Sequence, residues 1–262
     1  MKSNYSACLA FTLKYEGGYS SNRKDPGNWT GGKVGVGVLK GTKYGVSAAA
    51  YPTLDIKNLT LDDVKPIYEK NYWKPVKGDD LPAGVDLAVF DAGVMSGPSR
   101  GAKWLQAALG VSQDGIIGPN TLAKLRVSDG VQIIKKVCAK RQGFVQALKT
   151  FVTFGKGWTT RIAANEAESV RMYVSSNGKS TTDVKETLAT EANSAAKKAS
   201  KQNSGAVAAG GGGGTTFALS DQLAHWLTFG IIVAAVAFVG YLLWRAHINK
   251  KRAEAYNAEA AA

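Results

Sequence analysis

Histidine and cysteine are scarce in this chain, with two of each in 262 residues. Both histidines, His225 and His247, lie in the C-terminal region, so the rest of the sequence cannot build a histidine-based triad or zinc site. The cysteines, Cys8 and Cys138, have neither CxxC nor metal-ligand spacing and sit in apolar helical contexts. They read as buried thiols rather than a disulfide. A basic segment followed by an apolar run is also missing at the N-terminus, so no secretory signal is read there. Large apolar residues nearly vanish over 175–216, where Ser, Thr, Ala, Lys and Asn surround the glycine run Gly210–Gly214. A stretch of that composition buries too little surface to order itself and reads as a flexible linker.

Acidic residues are also in short supply. The net charge is +13, and over residues 1–174 there are 24 Lys and Arg against 14 Asp and Glu, a surplus of 10. A basic surface attracts polyanions, whether nucleic acid, acidic lipid headgroups or the anionic bacterial wall, and it also serves plain solubility. No nucleic-acid-binding module is recognisable, which sets that partner aside.

What remains is mostly helical in pattern. Tyr5, Cys8, Leu9, Thr12 and Leu13 share one face of a helix over 4–15, which Gly17 and Gly18 end. Residues 17–52 are rich in glycine and lysine, with a β-capable piece at Val34–Leu39, and read as a hairpin-bearing insertion. Helices are expected over 61–72 with Thr60 as N-cap, and over 83–95, 98–109, 119–126, 129–152 and 158–173. Leu223–Trp244 is a long apolar run with Trp226, Tyr241 and Trp244 near its ends, long enough to span a bilayer. Arg245, Lys250, Lys251 and Arg252 follow it. The positive-inside rule then puts the C-terminus in the cytoplasm and the N-terminal domain on the periplasmic side.

The chemistry concentrates in Tyr15-Glu16-Gly17-Gly18-Tyr19 and Asp25-Pro26-Gly27-Asn28-Trp29-Thr30. A carboxylate at the C-terminal end of a helix is followed by a second carboxylate and a hydroxyl on a loop. Cleavage of a glycosidic bond needs one carboxylic acid to protonate the leaving oxygen and one carboxylate to activate water or stabilise the oxocarbenium-like centre. The partial negative charge at a helix C-terminus favours the protonated form needed of Glu16. Taken alone, Glu16 could equally be an exposed helix-end residue, Asp25 an Asx-turn residue before Pro26, and Thr30 a turn hydroxyl.

The wider string narrows this. EGGY, DPGNWT and the later GTKYGVS resemble the signature of glycoside hydrolase family 108, the N-acetylmuramidases that include secretion-activator lysozymes. Relatives commonly read DPGG where this chain has Asp25-Pro26-Gly27-Asn28, and here a longer Gly/Lys insertion, Trp29 to Lys40, follows. The resemblance implies Glu16 as catalytic acid, with Asp25 and Thr30 positioning the attacking water. A middle block resembles the same family: Tyr68 to Trp73, Leu81-Pro82-Ala83-Gly84, Phe90-Asp91-Ala92-Gly93 and Ser96-Gly97-Pro98. Family members often carry Asn where Met95 stands. Asp114-Gly115-Ile116-Ile117-Gly118-Pro119-Asn120-Thr121 is similar to the turn of small peptidoglycan-binding modules, with Pro119 opening a helix. Tyr19, Tyr72, Trp73, Asp114, Gly115 and Thr121 are thereby candidate substrate-binding residues. Core packing is the competing role for Tyr72 and Trp73, and a plain helix start for the DGxxGPxT turn. Asp86 and Asp91, in an apolar helix, read as structural carboxylates.

The expected fold is α+β, mostly α: a lysozyme-like helical domain with a small β-hairpin insertion, a flexible linker and one C-terminal transmembrane helix. The expected organisation is a catalytic region over 1–93, a peptidoglycan-binding-like helical region over 94–173, a disordered linker over 174–222, a transmembrane helix over 223–244 and a basic tail over 245–262. The implied activity is hydrolysis of the β-1,4 bond between N-acetylmuramic acid and N-acetylglucosamine. It needs no cofactor or metal, and the partners are peptidoglycan glycan strands, the lipid bilayer, and phage or secretion-system components. The alternative is a non-catalytic, membrane-anchored wall-binding protein.

Overall fold

The structure is a computed structural model that describes residues 4–210 and 221–262, with side chains described for 4–209 and 233–262. The chain divides into two compact units, Met1–Phe144 and Val145–Ala262.

The first unit is built around one apolar helix. In chain order it holds α1 (Tyr5–Leu13), the two-stranded antiparallel sheet β1 (Thr42–Lys43) and β2 (Val46–Ser47), α2 (Leu61–Tyr68), α3 (Val85–Ser96), α4 (Pro98–Leu109), α5 (Pro119–Arg126) and most of α6 (Gly130–Gln146). Every residue of α3 from Val85 to Gly93 is buried. A helix apolar on all sides belongs inside, and α1, α4 and the turns before α3 pack around it. Tyr5, Trp73 and Phe90 meet there, with ring centroids 5.3 Å (Tyr5–Trp73) and 5.4 Å (Trp73–Phe90) apart. Cys8 and Cys138 are both buried and neither is in a disulfide.

Local signals explain the helix starts. Thr60 caps α2 in a reciprocal capping box with Asp63, which satisfies two backbone donors that a helix start leaves open. Pro98 and Pro119 stand in the first turns of α4 and α5, where a missing N–H costs nothing. Pro66 sits inside α2, and a widened π turn follows over Glu69–Trp73. That turn, closed by Lys74 N–H donating to Glu69 O at 2.9 Å, buries Trp73 while leaving Tyr72 half-buried beside it.

The second unit overturns two expectations. Residues 174–222 were expected as a disordered linker; instead α7 (Phe151–Ser176) runs into the segment and α8 occupies Thr181–Gly210. Val184, Leu188, Ala192, Ala195, Ala199 and Ala206 are buried along α8, at the three- and four-residue spacing of a helix seam. Alanine is the strongest helix former, and its small side chain lets a partner helix come close. The bulk of large apolar residues is therefore not required for order here. Residues 211–220, with the rest of the glycine run, lie outside the described residues.

The transmembrane helix expected over 223–244 is the second correction. Among the described residues, no helix is long and apolar enough to cross a membrane. Side chains 223–232 of that span lie outside the described ones. The remainder belongs to α9 (Asp221–Ala261), a 41-residue helix that continues unbroken through Arg245, Lys250, Lys251 and Arg252 and packs along α8 and α7. Its seam, Ala246, Asn249, Ala253 and Tyr256, is buried. The cationic residues read as a flank beyond a span are part of the same helix. The bilayer as partner, and the topology with a periplasmic domain and cytoplasmic C-terminus, lose their basis with it.

Polar contacts fix the helices of this unit against one another. Glu166 Oε1 on α7 accepts from Arg252 Nε (2.9 Å), Arg252 Nη2 (2.6 Å) and the Tyr256 hydroxyl (2.8 Å). Burial first, then the adjacent Glu166 carboxylate, push the Tyr256 phenol far above its ordinary value. It stays a neutral donor.

Candidate active site

Helix α1 ends at Leu13, earlier than its sequence pattern implies. The chain then tightens: Tyr15 N–H donates to Thr12 O (3.1 Å) and Glu16 N–H to Leu13 O (3.3 Å). Shorter-range bonds of this kind satisfy the last carbonyls of a helix. Glu16 is thus carried on the closing turn of α1. Gly17 and Gly18 do not adopt the left-handed conformation of a glycine cap. They lead instead into an extended segment, where Gly17 O accepts from Tyr44 N–H and Ser20 pairs with Thr42.

That pairing brings Glu16 to the hairpin turn between β1 and β2. Tyr44 and Gly45, the two turn residues, both have positive φ, 50° and 72°, as two-residue hairpin turns require. For tyrosine this conformation is unfavourable, and it is held by the Tyr68 hydroxyl, which donates to Tyr44 O at 2.8 Å. A Cβ added at Gly45 would stand 2.7 Å from the Tyr68 hydroxyl and 3.3 Å from Glu16 Oε2. The Glu16 carboxyl therefore lies against a backbone position that only glycine fills without displacement. Burial, and to a smaller extent Tyr51 and the Glu16 carboxylate, raise the phenol of Tyr72 above its ordinary value. Tyr72 is thus a neutral hydroxyl within electrostatic range of Glu16. Tyr51, whose hydroxyl accepts from Asn71 Nδ2 at 2.8 Å, also lines a pocket of about 480 Å³ with Leu54, Leu59, Ile67, Asp55 and Asp63.

Asp25 and Thr30 hold the neighbouring loop. Asp25 Oδ1 accepts from Gly27 N–H at 2.8 Å, capping a short 3₁₀ turn over Pro26–Asn28. Thr30 Oγ1 accepts from Val38 N–H at 2.9 Å and closes the Gly/Lys insertion. The loop docks on the segment just after β2 through Ala49 N–H to Gly27 O, 3.0 Å. Glu16 thus meets the hairpin at Gly45, while the Asp25 loop meets it just beyond Ser47.

The residue that organises this loop was not singled out from sequence. Asn28 is fully buried. Its Oδ1 accepts from the Thr42 hydroxyl (2.7 Å), its Nδ2 donates to Asn22 O (3.0 Å), and its carbonyl accepts from Lys40 and Gly41 N–H. The signal was the departure from DPGG itself, since a glycine there supplies none of the side-chain bonds.

The remaining candidates separate. Tyr19 is 40% exposed, and its ring lies on Gly41, where a Cβ would come within 2.6 Å of it. Trp73 is 1% exposed, inside the core. Asp114 Oδ1 accepts from Gln106 Nε2 (2.6 Å) and Ile116 N–H (2.8 Å), while Gly115 N–H donates to Gln106 Oε1 (2.9 Å). Gln106 Nε2 also reaches Ile116 O and the buried Thr121 hydroxyl. The DGxxGPxT turn is thus wrapped around Gln106, a buried amide on α4 that sequence reading missed. It is the one polar side chain in WLQAAL that faces inward. The Gln106 bond, then that from Ile116, hold Asp114 below the usual carboxylate range.

Asp86 and Asp91 on α3 are both buried. Asp86 accepts from Asn4 Nδ2 (3.0 Å), Gly84 N–H (2.7 Å) and Leu87 N–H (2.6 Å). Burial nonetheless pushes its carboxyl up to about 6. Asp91 pairs with Arg141 of α6 at 2.7 Å and accepts from the Thr12 hydroxyl at 3.0 Å. Among the described residues, no cluster of His, Cys, Asp and Glu could hold a metal ion.

Comparison with known proteins places the chain in a class of sugar-cleaving enzymes. Residues 9–97 match the family model for glycosyl hydrolase 108, a span that holds Glu16, Asp25, Thr30, Tyr19, Tyr72 and Trp73 but ends before Asp114. Among solved structures, SagA of Brucella abortus is 37% identical with a TM-score of 0.55, over 66% of this chain and 97% of that one. No curated protein matches the chain. The protein is a glycoside hydrolase that acts on peptidoglycan. It belongs to the glycosyl hydrolase 108 family.

Proposed function

We propose that the enzyme is a muramidase, cleaving the β-1,4 bond between N-acetylmuramic acid and N-acetylglucosamine with Glu16 as general acid. The observation that carries this reading is the seat of Glu16: half-buried on the closing turn of α1, its carboxyl against Gly45. A proton donor must be held at a fixed place relative to the leaving oxygen, and a turn locked by Tyr68 and Tyr44 supplies that rigidity. In this reading Asp25 activates or orients the attacking water through Oδ2, Oδ1 being engaged by Gly27 N–H. Thr30, on the same loop, assists. Tyr19 and Tyr72 offer ring faces and hydroxyls to the sugars. Trp73, Asp114, Gly115 and Thr121 are not carried into the site, because the first is core and Gln106 engages Asp114 Oδ1, Gly115 N–H and the Thr121 hydroxyl.

The experiment is digestion of purified sacculi followed by borohydride reduction. The proposal predicts muramicitol as the newly reduced end and its absence with Glu16→Gln. Glucosaminitol as the sole new end would assign the other glycosidic bond, and sacculus binding with no new reducing ends would favour a wall-binding protein.

A further inference from the structure

The family match stops at residue 97, yet the first compact unit continues to Phe144. One buried chain of contacts crosses that boundary and ends beneath Glu16. Arg141 Nη1 on α6 meets Asp91 Oδ2 on α3 at 2.7 Å, with both side chains fully buried. The other oxygen, Asp91 Oδ1, accepts from the hydroxyl of Thr12 at 3.0 Å. Thr12 is in the last helical turn of α1, and its carbonyl receives Tyr15 N–H in the turn that carries Glu16.

We infer that Arg141 and Asp91 are positioning residues for the reaction, acting through Thr12 to fix the turn that presents Glu16. The segment α4–α6 is then part of the catalytic unit rather than a separate glycan-binding module. This rests on Glu16 being the acid. Three observations support it. Removing either partner of a desolvated ion pair leaves a lone buried charge, which is costly, so Arg141 and Asp91 keep each other in place. Arg141 Nη2 also lies against Met95 Sδ of α3. Asp114 Oδ1 and Gly115 N–H of the DGxxGPxT turn meet Gln106, consistent with a scaffold.

The test uses the full-length enzyme and a soluble peptidoglycan tetrasaccharide. Thr12→Val removes the hydroxyl and keeps the shape, and Thr12→Ser keeps the hydroxyl. The pair Asp91→Leu/Arg141→Met removes the ion pair without leaving a lone buried charge. Arg141→Lys keeps a buried cation and guards against loss of fold in the others. Folded Thr12→Val, the apolar pair and Arg141→Lys are each expected to lose kcat on the order of 10²-fold, the cost of misplacing a catalytic group by about 1 Å. KM should stay nearly constant, and Thr12→Ser should recover most of the rate. Wild-type kcat in any folded member of the first three overturns the inference, as does an equal rise in KM without loss of kcat. Glu16→Gln separates the two levels. If it turns over normally, the assignment of the acid fails. If it is inactive while Thr12→Val is normal, only the support chain fails.

Discussion

The Tyr68 hydroxyl donates a 2.8 Å hydrogen bond to the carbonyl of Tyr44, a residue held at φ 50° in the hairpin turn that touches Glu16. A side chain from α2 thereby holds an unfavourable backbone conformation beside the proposed acid. Tyr68→Phe is expected to lower stability by about 0.5–1.5 kcal/mol, the net worth of one hydrogen bond, and to reduce kcat more than it raises KM. Gly45→Ala should be worse, since the added Cβ meets both the Tyr68 hydroxyl and Glu16. Thermal melting with steady-state kinetics checks both, and a fully active Gly45→Ala would contradict this picture of the turn.

Asp86 gives a pH signature. Its carboxyl is raised in the fold from 3.8 to about 6 by burial, so the folded state binds the proton more tightly than the unfolded chain. Its contribution is fully present below about pH 4 and is lost as pH rises through about 6. At about 1.36 kcal/mol per pKa unit, the loss is on the order of 3 kcal/mol. Asp86→Asn should flatten this part of the stability curve, gaining on the wild type between pH 4 and 7. Parallel pH–melting curves for the two proteins would show that Asp86 does not titrate in this window.

Gln106 is predicted to hold the DGxxGPxT turn. Gln106→Leu strips partners from Asp114, Gly115 and Ile116 together, and leaving buried polar groups unpaired costs about 1–3 kcal/mol. Denaturant unfolding measures it. A neutral effect would mean that water replaces the amide at no cost.

The alanine seam of α8 separates a packed helix from a loose tether. Ala195→Leu inserts bulk at a buried position and should destabilise the second unit by about 1–3 kcal/mol. The same change in an unstructured segment would leave its melting curve unchanged.

Much of the first unit was legible because local rules and the tertiary outcome agree. Thr60 and Pro119 marked helix starts, and α4 and α5 fell on the expected residues. The end of α1 was less legible. Gly17 and Gly18 suggested a cap, whereas neither is left-handed and Gly17 O instead accepts from Tyr44 N–H. At the site, Glu16 and Gly45 come together through elements far apart in sequence, and only the family resemblance pointed there. Trp73, next to Tyr72, turns inward on a π turn that no period of 3.6 anticipates. The second unit was misread where composition stood in for geometry. Alanine carries little hydrophobic weight, yet at seam spacing it packs α8 against α9, and Arg252 finds a buried partner in Glu166.

The central claim is tested most directly by the rate at which Glu16→Gln releases reducing ends from purified sacculi, measured beside the wild type with matched melting curves. Loss of a general acid accounts for about 10²–10⁴-fold in rate, so the variant should fall at least that far while folding normally. A folded Glu16→Gln protein that solubilises sacculi within a few-fold of the wild-type rate would remove Glu16 from the chemistry.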